Sequence, residues 1–153
     1  MTLRRSLWLS LVCCGLLAAG CATAPPTGRI GGTTVPVGAA VALVSTPFYP
    51  LDAFDPQGSF LDQLRGYGLA PTSSADAPFV VQIHFTAGDE GAIDCRLVLL
   101  KGKEPILSAE GSSRHGPKND AELPTEADRR TAFRQSAFRE AARNFAAKAR
   151  TSG

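Results

Sequence analysis

Three side chains in this 153-residue sequence have the types needed for nucleophilic chemistry: Cys95, His84 and His115. A thiolate attacks a carbonyl carbon when an imidazole within hydrogen-bond reach takes its proton and a third group orients the ring. Cys95, however, falls on the apolar side of an alternating segment, where an unpaired thiol behaves as a small hydrophobe. His115 stands in a polar stretch with no neighbour to order it. The pattern therefore predicts no cysteine hydrolase and, more broadly, no enzyme. A metal centre needs three or four ligands at workable spacing. Two His and one inward-facing Cys do not supply them, and Asp89, Glu90 and Asp94 read as a solvated turn. With no phosphate-cradling glycine loop ending in Lys-Ser or Lys-Thr, no cofactor is expected.

Two other features offer binding chemistry. Between Arg129 and Arg150 there are seven basic residues against the single acid Glu140, a charge run in which Arg134, Arg139 and Arg143 are candidate contacts for an anionic surface or an acidic partner. The segment from Thr46 to Gly58 carries three prolines and the aromatics Phe48, Tyr49 and Phe54. Proline stiffens such a loop and aromatic rings give contact area at low entropic cost, so these three residues complete the candidate interaction surface.

The elements that position these residues follow from periodicity. Ala39–Ser45 is short, apolar and β-branched, as a buried strand is. Ser59 to Leu69 reads as a helix: Ser59 and Asp62 resemble a capping box, Phe60, Leu61 and Leu64 form one apolar side, and Gly66 and Gly68 end it. Pro78–Phe85 alternates strictly, with Phe79, Val81, Ile83 and Phe85 inward. Ala92–Leu100 alternates as well, and after the polar turn 101–104 a partner strand runs from Ile106 to Ser113, which makes a hairpin. Arg114–Pro124 is a loop. The final helix opens with Thr125 as N-cap and acids at Glu126 and Asp128, closes with Lys148 and Arg150, and carries the apolar stripe Phe133, Ala137, Phe138, Ala141, Ala142, Phe145. The order β-α-β-β-β-α predicts an α+β fold, a mainly antiparallel sheet of about four strands with both helices on one face.

The amino terminus is of another kind. Arg4 and Arg5 precede an apolar run from Leu7 to Ala19 that is shorter than the roughly 20 residues a spanning helix needs. Positive, apolar and small-residue zones in that order make an export signal. Its last part, Leu16-Leu17-Ala18-Ala19-Gly20-Cys21, resembles the lipobox of bacterial lipoproteins, with Ala18 where Leu is commoner. The resemblance implies that the signal, residues 1–20, is cut off and that the Cys21 thiol and the new amino terminus are acylated. Two or more acyl chains hold a protein firmly on a bilayer. In that family Asp after the lipidated Cys retains the protein at the inner membrane; Ala22 here implies the outer membrane, facing the periplasm.

Removing Arg4 and Arg5 from the 16 basic residues leaves 14 against 14 acidic ones, so the mature chain is formally neutral and no nucleic-acid partner is expected. With Cys13 and Cys14 lost and Cys21 lipidated, Cys95 has no thiol to pair with. Residues 21–38, rich in Pro, Gly and Thr, read as the lipidated Cys and a flexible tether, and 39–150 as one globular domain. The order of elements around Gly66-Tyr67-Gly68 is similar to that of small envelope-assembly lipoproteins. The expected function is a membrane-anchored interaction or assembly module with an envelope protein partner; the alternative is a binding module for a lipid, glycan or peptidoglycan ligand.

Overall fold

A computed structural model describes residues 27–46, 57–115 and 125–151, His115 by its backbone alone. Seven strands and two helices follow one another as β1 (Thr27–Ile30), β2 (Thr33–Pro36), β3 (Ala39–Thr46), α1 (Gln57–Gly66), β4 (Leu69–Thr72), β5 (Phe79–Ala87), β6 (Ile93–Lys101), β7 (Glu104–Ser112) and α2 (Glu126–Thr151). The fold is α+β, as the periodicity predicts. β4-β3-β5-β6-β7 form one five-stranded sheet, and β1 and β2 form a separate two-stranded hairpin.

β3 is parallel to both of its neighbours, β4 and β5, while β5, β6 and β7 run antiparallel. Alternation along β5 and β6 buries Phe79, Val81, Ile83, Phe85, Cys95, Leu97 and Leu99 on one face, and both helices cover that face. Phe60 of α1 meets Phe138 and Phe145 of α2 edge-on, with ring centroids 5.5 Å apart in each pair, a favourable geometry for aromatic quadrupoles. The opposite face carries half-buried Val80, Gln82, His84 and Val98, and no helix lies on it among the described residues.

Three expectations change. Residues 27–36 are not tether. Gly31 and Gly32, both at positive φ, make the tight turn of the β1–β2 hairpin, and Ile30 and Val35 are fully buried in the main core. The domain thus begins twelve residues before Ala39, at Thr27. β4 is a strand the sequence reading lacks; Pro71 hides it, and proline is tolerated there because β4 is the edge of the sheet. Finally α1 starts at Gln57, so Ser59 lies inside the helix and is no cap; Asp62 pairs with Arg65 instead.

α2 keeps its predicted start. The Asp128 amide donates to Thr125 Oγ1 at 3.1 Å, which satisfies one of the open donors of the first turn. Its seat on β7 requires Gly111: a Cβ there would lie 2.2 Å from the Ala141 nitrogen and 2.5 Å from the Ala137 oxygen. Along the outer edge of β7, side chains of α2 at four-residue steps take the place of a neighbouring strand. Glu140 accepts from the Ser112 amide at 2.9 Å, Asn144 donates to the Glu110 carbonyl at 2.7 Å, and Lys148 donates to the Ser108 carbonyl at 2.8 Å.

Candidate functional site

The sheet and its helix layer have two ends. At one, β3, β4, β5 and β7 begin, β6 finishes, and the β1–β2 hairpin lies across them. Gly28 approaches the Tyr67 carbonyl at the end of α1, and Gly31 approaches the Ile106 carbonyl at the start of β7, so the hairpin bridges the two edges. Ile30 and Val35 plug the core there.

At the other end no such plug exists among the described residues. The β5–β6 turn, with a short 3-10 turn at Asp89–Gly91, faces the first two turns of α2 across a cavity of about 620 Å3. Phe85, Ile93 and Phe133 supply its apolar side, and Arg129, Arg130 and Arg134 its cationic rim. Phe133 is half-buried because the apolar stripe of α2 runs one turn beyond the sheet; the residues of the stripe further along, from Ala137, are buried. The rim cations are largely matched. Glu126 accepts from Arg130 at 2.9 Å and pairs with Arg129 at 3.4 Å, while Arg114 pairs with Asp89 across the neighbouring turn. Such a site can hold an apolar group beside an acidic one.

The three arginines singled out in the sequence are not brought together. Arg134 lines the cavity, whereas Arg139 and Arg143 lie on a different side of α2, above a groove against α1 lined by Ser59, Gln63, Ala142 and Arg150. The groove is of about 430 Å3, and its small residues Ala142, Ala146 and Ala147 let α1 and α2 leave it open. In its wall the Gln63 Oε1 is buried without a hydrogen-bond partner among the described residues. Cys21, Phe48, Tyr49 and Phe54 lie outside the described residues.

The nucleophilic candidates are separated by the pleat. Cys95 pairs in register with Phe85 and points into the core, while His84 pairs with Arg96 on the opposite face, its Nε2 3.3 Å from Gln82 Oε1. Burial pushes the Cys95 thiol up from 9.0 to about 12, so the thiolate is suppressed at neutral pH. Asp89 and Glu90 sit exposed in the β5–β6 turn, and no cluster of three metal-ligating side chains occurs among the described residues. No described helix is long and apolar enough to cross a membrane.

Sequence reasoning missed the cavity. Its signal was the early position of Phe133 in the α2 stripe, which gains meaning only once the sheet is seen to stop at Phe85 and Ile93. Compared with protein-family models and with curated proteins, the chain matches none.

Proposed function

We propose that this chain is a lipoprotein anchored through Cys21, outside the cytoplasm and facing the periplasm from the outer membrane, whose domain serves as an interaction or assembly module of an envelope complex. The observation that carries the reading is the run Leu16–Cys21 behind Arg4, Arg5 and an apolar stretch, the arrangement of a lipoprotein signal. The fold supports it in one respect: the cavity lined by Phe85, Ile93 and Phe133 lies at the end opposite the hairpin, away from the anchored terminus, where a partner can reach it.

Replacement of Cys21 by Ser tests the anchor. The variant should lose lipid labelling and remain unprocessed; unchanged processing and membrane attachment refute the anchor. The partner is tested by a photo-crosslinking residue at Phe133 in intact cells. A discrete adduct that is absent when the crosslinker is moved to Thr34, on the hairpin, supports docking through the cavity, and identical patterns from both sites count against it.

The second reading, a ligand-binding module, is favoured by the apolar side and arginine rim of the same cavity, which suit an amphiphile with an acidic group. Titration with such a compound that leaves the Phe85, Ile93 and Phe133 resonances unmoved removes it.

A further inference from the structure

We infer that the hairpin end of the domain rests directly on the bilayer, with its unpaired cations against anionic lipid head groups. The inference depends on the anchor proposed above and adds the orientation and the contacting residues. Its first support is the length of the leash. With β1 beginning at Thr27, only residues 22–26 separate the lipidated Cys21 from the folded domain. Six Cα steps cannot span more than about 20 Å, whatever conformation they take. α2 alone, with 26 residues, is about 39 Å long. A leash half that length holds the hairpin beside the membrane and leaves the cavity end free to stand away from it.

The second support is the distribution of charge, which is uneven although the mature chain is neutral. Arg29 on β1, Lys101 at the end of β6, Lys103 in the β6–β7 turn and Arg150 in the last turn of α2, a helix that touches β1, are all exposed at the hairpin end. None of the four has an ion-pair or hydrogen-bond partner among the described residues. Among the described residues the acids at that end are Asp76 and Glu104, together with Asp62, which is already held by Arg65 at 2.6 Å. At the cavity end Asp89, Glu90, Asp94, Glu126 and Asp128 stand against Arg114, Arg129, Arg130 and Arg134, and the first three of these arginines are held in ion pairs. A negatively charged surface therefore attracts the first end more strongly than the second, within a Debye length and in a salt-dependent way. Unpaired surface cations that a fold spreads over β1, β6, a turn and α2, all at one end, do nothing for its stability that paired ones would not do better; against head-group phosphates they gain partners.

The test uses the mature, lipidated chain reconstituted into vesicles of phosphatidylcholine, with and without phosphatidylglycerol. A nitroxide is placed on Thr34→Cys at the hairpin or on Ala127→Cys at the cavity end, since buried Cys95 and acylated Cys21 do not react. Relaxation by a paramagnetic chelate on the lipid head groups reports proximity. On anionic vesicles the Thr34 site should be relaxed at least threefold more than the Ala127 site. That contrast should fall by half or more in 1 M salt and in the combined variant Arg29→Gln, Lys101→Gln, Arg150→Gln. Equal relaxation at both sites, or a contrast insensitive to lipid charge and to the variant, overturns the inference. Mass analysis of Cys21 in the same sample keeps the two claims apart: an acylated Cys21 with equal relaxation sinks only the orientation, and an unmodified Cys21 sinks the anchor as well.

Discussion

At one end of the sheet Ile30 and Val35 are driven fully into the core by a ten-residue hairpin, and Arg29, Lys101, Lys103 and Arg150 near them have no partner among the described residues; at the other, Phe85, Ile93 and Phe133 border an open cavity beside which Arg114, Arg129 and Arg130 are paired with carboxylates. The contrast separates two uses of apolar surface. Where it is covered by the chain itself it contributes stability, and where it is left uncovered beside charge it is available for recognition. Substitutions at the two ends should accordingly fail in different currencies, folding free energy at the hairpin and binding at the cavity.

The largest effect is expected between the ends, where the backbones of β7 and α2 touch. Gly111→Ala would place a methyl against the α2 main chain, which cannot yield as a flexible side chain can. Urea unfolding should show a loss of about 3 kcal/mol or more; a loss under 1 kcal/mol would mean that α2 does not sit on Gly111. At the hairpin, Ile30→Ala should cost about 3 kcal/mol, the usual range for a fully buried aliphatic side chain. A near-neutral Ile30→Ala would restore residues 27–36 to the tether.

Alkaline pH probes the core below the cavity through Cys95. Its folded-state pKa lies above the ordinary 9.0, so the protein holds the thiol proton more tightly when folded. That contribution is complete below pH 9 and is lost as the pH rises through the folded value near 12. The stability difference between the native chain and Cys95→Ala should therefore shrink between pH 9 and 12, and native Cys95 should resist thiol reagents at pH 8. Rapid labelling of the folded protein breaks this prediction.

The smaller effects belong to the cavity. Phe133→Ala should cost about 1 kcal/mol, because the ring is only half-buried. Glu126→Gln, which dissolves two exposed ion pairs, should change stability by about 0.5 kcal/mol or less. If Phe133→Ala proves as costly as Ile30→Ala, the two ends do not differ and the cavity is part of the core.

What could be read from the sequence followed the strength of its periodicity. β5, β6 and α2 have long alternating or four-residue patterns, which predict the inward residues of β5, the apolar stripe of α2 and the burial of Cys95 on β6. The hairpin had a usable signal in Gly31-Gly32, a dipeptide that favours two-residue turns, but four-residue strands of Thr, Val and Pro carry too little pattern to outweigh a tether-like composition. Pro71 hid β4 for a related reason, since proline argues against a strand unless the strand is known to be an edge. Among the candidate arginines, residue type was legible but grouping was not. Arg134 and Arg143 share a helix yet face different hollows, and only the placement of α1 and the sheet decides which.

The ladder formed by Glu140, Asn144 and Lys148 has a consequence for the molecule in company. Each of the three spends its polar group on a β7 main-chain atom that would otherwise be open to a strand from another copy. At the far side β4 offers four residues, one of them a proline without an amide hydrogen. Both margins of the sheet are thus poor templates for self-pairing, and neither favours growth of the fold into fibres.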